Sequence, residues 1–434
     1  MRIRTITLSC CLSQQHFLTE DTLDKLVETS STVLKQIAEA YKAASYDVQT
    51  IRIAFNSFEE WLLPTQAHSD VPLANASVAH LDASVQKKLD ILQQLLLKYN
   101  ISFCSLGACR KSENLRYIPH ILNQSYPGFA CSYGAGIQST MDDFLRAAET
   151  CVELSKLCGD NGNFGYCVAS NCPDGIPFFP ASSAPSSSSI SSGKETYSIS
   201  VGLEAGDLLF LGTKGASSYS EATENLKSVF YQAMFPIHKI MKHALNSIAE
   251  DNFEVNYLGL DTSIAPGLEL PESVGFGIEQ FGPSPLLSGI EPENAFQFGD
   301  YGTLPIIGAI TAALKSINDC ATNEDGKILT TGYNGLMLPV MEDIILAQRA
   351  REKKLTIRDF MLFCTSCGVG IDTVPISHDV SVKKLAGLYL EMNAIAHRLG
   401  KSLSCRLLPM NELKAGDSTN SISPYLVDTT VFDL

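Results

Sequence analysis

The chain has 434 residues, with 47 acidic side chains against 32 Lys and Arg and a formal charge of −15. So acidic a surface repels both a phosphate backbone and an anionic bilayer, which disfavours nucleic-acid and membrane binding. No apolar run reaches the ~18–20 residues that cross a bilayer, and a chain this long points to two domains or one large barrel.

Taken in order, the elements alternate. The opening MRIRTITLSCCLSQQ has too few apolar residues for a signal peptide and reads as a strand over Ile3 to Cys11. Helix spacing follows over Thr22 to Ala44, a strand over Val48 to Phe55, a helix over Ser84 to Lys98 and a strand over Ile101 to Leu106. A short helix (Leu115 to Leu122), a short strand (Gly128 to Cys131), a helix (Met141 to Leu157) and a strand (Phe164 to Ala169) complete the first half, residues 1–179. The stretch 180–195 is rich in serine, has almost no large apolar side chain and is expected to be a flexible surface loop. The second half, 196–434, begins with a strand over Tyr197 to Leu203 and a long helix from Glu221 to Asp251, with a kink or break expected near Phe235, ahead of Pro236. A strand over Val255 to Leu260 leads to helices near 272–280, 302–318, 338–352 and 357–364. A helix over Val380 to Leu399, a strand over Ser402 to Leu408 and an irregular tail end the chain. Such βα alternation favours a largely parallel sheet or barrel with helices outside, here one domain of two halves.

The 13 cysteines have no disulfide-framework spacing, so free and mostly buried thiols in a reducing, cytoplasmic compartment are expected. Cys364 and Cys367 form C-x-x-C, but no second tight pair accompanies them for zinc, and the pair ends a helix rather than starting one. Cys367 lies in a glycine-rich turn with Gly368 and Gly370, where an accessible thiol can be activated by backbone N–H groups or can simply pack as a small apolar side chain.

Two apolar runs stop at the same residues: Asp261-Thr262-Ser263 after Gly259-Leu260, and Asp372-Thr373 after Gly370-Ile371. At the ends of barrel strands such pairs face a shared mouth; equally, they cap whatever follows. Glu342 and Asp343 suit either a first helical turn or, with Asp261 and Asp372, a carboxylate cluster that holds a cation or transfers protons. Arg406 near a strand end is suited to gripping a substrate carboxylate.

The motifs LGLDTSIAP, GTLPIIGAITAALK, GYNGLMLPVMED, CGVGIDTVP and CRLLPMNELKAGD, in this order and with IRTITLS, IPFFPAS and SVGLE before them, resemble those of the uncharacterised domain-of-unknown-function family 711 over nearly the whole chain. The resemblance implies a ten-stranded α/β barrel similar to pyruvate formate-lyase and the large subunit of ribonucleotide reductase, and in relatives an ACT-type regulatory partner. The Arg-Val-x-Gly-Tyr setting of a glycyl radical does not occur between Met410 and Leu434, so radical chemistry is not implied.

The expectation is an enzyme for a small polar metabolite, such as an amino acid or carboxylate, in a barrel mouth. Cys367, Asp261 and Asp372 would be catalytic. Thr262, Ser263, Thr373, Gly368, Gly370, Arg406, Glu342 and Asp343 would bind the ligand. The alternatives are a non-catalytic ligand-binding or regulatory protein that keeps the barrel, and a redox protein using the C-x-x-C pair. Cofactor, metal and substrate are left open, and a two-fold homodimer is the base-rate expectation for an enzyme of this size.

Overall fold

A computed structural model describes residues 1–63, 81–123, 128–160, 162–185, 195–212, 216–248, 253–281, 296–420 and 423–434. Nine strands form a single sheet: β1 (Arg2–Cys10), β2 (Ile51–Phe55), β3 (Phe103–Cys109), β4 (Gly128–Ala135), β5 (Tyr166–Ser170), β6 (Glu195–Glu204), β7 (Phe253–Ala265), β8 (Gly370–Ser377) and β9 (Leu403–Met410). Their order is β7-β6-β1-β2-β3-β4-β5-β9-β8.

β1 to β5 are mutually parallel. β6 joins β1 antiparallel and carries β7 parallel to itself; β9 joins β5 antiparallel and carries β8 in the same way. The two sequence halves therefore run in opposite directions within one sheet. The sheet is not itself closed. Its outer strands are both bridged to the segment 328–340: Leu260 pairs with Thr330, Ile264 with Leu336, and Asp372 with Pro339.

Helices cover the outer face. The helix Glu20–Ala43 buries Leu23, Val27, Leu34, Ile37 and Tyr41, all fully, at the spacing of one helical stripe. Each such aliphatic side chain contributes roughly 1.5–3 kcal/mol of transfer free energy. β1 gives Ile6, Leu8 and Cys10 to this core.

The opposite side of β1 is buried too, yet its residues are Thr5, Thr7 and Ser9. The cause is the loop 171–185, whose main chain lies against this inner face. Thr7 Oγ1 donates to Pro177 O at 2.8 Å, Ser105 Oγ donates to Ser182 O at 2.5 Å, and Ala184 N donates to Phe55 O at 3.0 Å. A buried backbone needs hydrogen-bond partners, so the inner sheet face is lined with hydroxyls rather than aliphatics. A Cβ at Gly202 would lie 2.6 Å from the Phe178 ring, so the bare glycine leaves room for the loop's tip.

Several expectations meet a different arrangement. Of the stretch 180–195, residues 180–184 are buried in this inner loop, 186–194 lie outside the described residues, and Glu195 begins β6. The helix Tyr219–Ile248 runs unbroken through Pro236. The expected helix at 338–352 is a 3₁₀ turn (Val340–Glu342) followed by the shorter helix Ile344–Arg351, because Pro339 and Asp343 keep extended backbone angles. The two Asp-Thr motifs do not end strands: β7 continues past Asp261 to Ala265, and Asp372 is the third residue of β8. Among the described residues no helix is long and apolar enough to cross a membrane.

Candidate functional site

A cavity of about 490 Å³ lies at the amino ends of β1 to β5, which is also where the oppositely directed β6 and β9 finish. Its walls are largely aromatic and apolar, including Phe103, Phe129, Phe164, Phe178, Phe179 and Met337. Five charged side chains reach it: Arg4, Arg52, Arg406, Glu342 and Asp372.

Four of the five belong to one chain of ion pairs. Arg2 Nε meets Glu204 at 2.7 Å, Glu204 meets Arg4 at 2.8 Å, Arg4 meets Glu342 at 2.9 Å, Glu342 meets Arg406 at 2.7 Å, and Arg406 Nε meets Asp372 at 2.5 Å. The Arg406 guanidinium also lies over the Phe164 ring, 4.7 Å from its centroid. Burial works against the charge of Arg406, but Asp372 and Glu342 outweigh it and hold the group firmly protonated. Burial likewise pushes the Glu342 carboxyl up, while Arg406 and Arg4, one on each oxygen, pull it back.

Arg52 is different. Its Nε donates to Thr50 Oγ1 at 3.0 Å, and its guanidinium lies 5.2 and 5.0 Å from the centroids of Phe103 and Phe179. Among the described residues no carboxylate stands within ion-pair distance of it. Burial, then the neighbouring charge of Arg4, pushes its pKa down to about 9. Among the described residues the cavity thus holds three guanidiniums against two carboxylates, with the surplus charge on Arg52, whose terminal nitrogens are uncommitted.

Of the residues singled out from the sequence, Glu342, Asp372 and Arg406 line this cavity; the others do not. Asp261 is wholly buried and ties down the 332–335 turn: it accepts from the N–H and hydroxyl of Ser263 at 3.0 and 2.6 Å, and from the N–H groups of Tyr333 and Asn334 at 2.9 and 3.1 Å. Thr262 is bonded through both N and Oγ1 to Asn334 Oδ1. Ser263 Oγ also accepts from Gly335 N. Asp343 caps two helices at once, accepting from Ile345 N and Leu346 N of its own helix and from Val274 N, Gly275 N and the Ser273 hydroxyl of another. Thr373 is buried with a positive φ of 42°.

Cys367 is fully buried rather than accessible. The glycines around it serve close packing: a Cβ at Gly335 would stand 2.4 Å from the Cys367 carbonyl oxygen, one at Gly370 would collide with Ser404 O, and Gly368 takes the left-handed angle that ends the helix Ile357–Cys367. A hydrogen bond from Cys364, helped by the N–H groups of Val369 and Gly370, lowers the Cys367 thiol to about 6 against the effect of burial, while burial raises Cys364. The inner loop that reaches the cavity has Phe178-Phe179-Pro180 at its tip and a cysteine, Cys172, only at its base, where burial pushes the thiol up to about 12. Among the described residues no three His, Cys, Asp or Glu side chains are grouped to hold a metal ion.

Arg4 and Arg52 did not emerge from the sequence as site residues. The signal was present: Arg52 is a lone charge inside an apolar strand, in Ile51-Arg52-Ile53, as Arg406 is in Cys405-Arg406-Leu407, and Arg4 alternates with Arg2 around Ile3 before the apolar run of β1. For Arg4 the face is set by a shift of register between β1 and β6 at Ile3 to Thr5, which no sequence pattern announces.

Residues 1–421 match the family described as Uncharacterised ACR (DUF711). The chain belongs to the DUF711 family. It is 24% identical over 425 residues to a UPF0210 protein of Pyrobaculum islandicum, covering 96% of this chain and 86% of that one. A UPF0210 protein of Pyrobaculum aerophilum is 23% identical over 427 residues at the same coverage, and one of Methanopyrus kandleri is 25% identical over 285 residues, 64% of this chain and 56% of the relative. This DUF711 chain therefore aligns along most of its length with archaeal proteins at an identity too low to carry over individual side-chain roles.

Proposed function

We propose that this DUF711 protein binds a small organic anion, a carboxylate or an amino acid, in the 490 Å³ cavity, with Arg52 as its anchor. The observation that carries this is a half-buried guanidinium, flanked by two phenyl rings, that has no carboxylate within ion-pair distance among the described residues. A guanidinium stays protonated near neutrality, so the hydration lost on the half-buried side is offset only when an anion pairs with it. A planar carboxylate matches the fork of its two terminal nitrogens, and the aromatic walls suit an apolar body. Asp372, with one oxygen on Arg406, has its second oxygen to offer a ligand amine or hydroxyl, or to move a proton.

A further part of the proposal concerns architecture. With 328–340 counted as an irregular tenth strand between β7 and β8, the sheet becomes the ten-stranded barrel of the pyruvate formate-lyase type, with the inner loop at its centre. The reaction of those enzymes does not come with it, since the glycyl-radical pentapeptide does not occur between Met410 and Leu434.

A second reading, binding without turnover, is favoured by the commitment of both cavity carboxylates to arginines. Thermal-shift and calorimetric titrations with small carboxylates and amino acids test the site. A ligand at about a hundred times its Kd adds ~2.7 kcal/mol; the shift is expected in the native chain and absent in Arg52→Met. A shift that persists in Arg52→Met would overturn the assignment. Turnover of the bound compound, lost in Asp372→Asn, would decide for an enzyme; its absence, for the binder.

A further inference from the structure

A second cavity, of about 410 Å³, lies at the opposite end of the sheet, over the carboxyl ends of β3, β4 and β5. We propose that it is a separate small-molecule site, shaped for an uncharged, polyhydroxylated ligand.

Its chemistry contrasts with that of the first cavity at each point. Ala108, Gly134, Ala135, Ala169 and Ala181 make the walls, and among the described residues no aromatic side chain other than the imidazole of His397 takes part. The charges cancel: Arg110 Nη2 meets Asp174 Oδ1 at 3.0 Å, and a Cβ on Gly134 would stand 2.9 Å from Arg110 Nη1, so the glycine leaves space for the guanidinium. An anion finds no uncommitted cation here, and an apolar or aromatic body finds no large apolar surface.

What the cavity does offer is neutral hydrogen-bonding groups. Ser132 lines it from β4, is fully buried, and its Oγ has no partner. The buried Nε2 of His397 has none either, and the amides of Gln138 and Asn171 complete the rim. Buried polar atoms are nearly always paired, so two orphans on side chains that line one cavity mark groups that a rotation about the side-chain bonds would turn toward a ligand's hydroxyls. The carboxyl end of parallel strands is also where α/β sheets most often place a ligand.

The same inner loop borders both sites: Pro173 and Asp174 line the second cavity, Phe178 and Phe179 the first, and Ala181 both. The backbone of this loop is tied to the sheet by the Thr7 and Ser105 hydroxyls between them.

Saturation-transfer NMR on the full chain with xylitol and erythritol tests the proposal. Transfer is expected in the native protein and in Arg52→Met, which alters only the first cavity. It should weaken about tenfold in Kd, equivalent to ~1.4 kcal/mol, in Ser132→Ala and in His397→Phe, one hydrogen bond being lost in each. Ser132→Ala removes a hydroxyl that no protein group uses, so it should melt as the native chain does and keep the comparison valid if His397→Phe folds poorly. No transfer in the native protein at millimolar polyol, equal transfer in Ser132→Ala, or transfer lost in Arg52→Met would each overturn the proposal.

Discussion

Arg406 Nη2 and Glu342 Oε1 meet at 2.7 Å in the middle of the cavity wall, and the other oxygen of Glu342 is held by Arg4 at 2.9 Å. One carboxylate thereby binds β1 to β9 through a turn that belongs to neither strand. Removing one partner of a buried ion pair strands the charge left behind, so Glu342→Gln is expected to cost about 3–5 kcal/mol in urea denaturation. It also leaves the cavity more positive. If the cavity binds anions, a small carboxylate should restore more stability to Glu342→Gln than it adds to the native protein. Equal increments would separate this ion chain from the ligand.

Arg52 calls for the opposite experiment. A residue kept for stability should destabilise the protein when removed, whereas one kept for ligand binding is held at the fold's expense. Arg52→Met leaves an unbranched apolar stem beside Phe103 and Phe179 and removes a half-buried charge that has no carboxylate partner among the described residues. The ligand-free variant should melt at or above the native temperature, because the desolvation relieved, roughly 1–3 kcal/mol, offsets the cation–π attraction lost, about 1–2 kcal/mol. A fall in Tm of several degrees would make Arg52 a structural residue.

Much of the fold was legible because helix stripes and strand runs obey local rules. The outer helices and eight of the nine described strands fall close to where apolar spacing put them; β8, expected to stop at Asp372, in fact starts at Gly370 and continues to Ser377. The site was legible only in part. Asp372, Glu342 and Arg406 came from motifs, but so did Asp261 and Asp343, whose carboxylates are consumed by backbone N–H groups. Sequence cannot tell a carboxylate that caps a turn from one that faces a cavity, since the same residue type suits both. The inner loop was hidden for a different reason: its small and polar residues look solvent-exposed, and only the hydroxyls on the facing strands, Thr5, Thr7 and Ser105, disclose that it is enclosed.

Asp261→Asn separates those two uses of a carboxylate. Four donors converge on Asp261, and an amide NH₂ must face at least one of them. A loss of about 2–3 kcal/mol is expected, from one buried donor left unpaired and charge-assisted bonds weakened. Ligand affinity should stay within a few-fold of native, because the side chain does not reach the cavity. Loss of affinity with unchanged stability would return Asp261 to the site.

His238 supplies a pH dependence. It is buried in the long helix between the Phe235 and Tyr257 rings, with its Nδ1 3.4 Å from the Tyr257 hydroxyl, and burial, aided by the charge of Lys242, lowers its pKa to about 4. The unfolded chain binds a proton on this side chain near its ordinary value of 6.5, whereas the folded chain resists until about 4. Its contribution is therefore fully present above pH 6.5 and is lost as the pH falls through that window, because the unfolded state takes up the proton first. With solvent screening allowed for, the loss should be on the order of 1–2 kcal/mol. Carboxylates titrate in the same range, so the measurement is a difference. Urea stability from pH 7 to pH 4 should fall less steeply in His238→Phe than in the native chain, and parallel curves would show that the imidazole can be protonated in place.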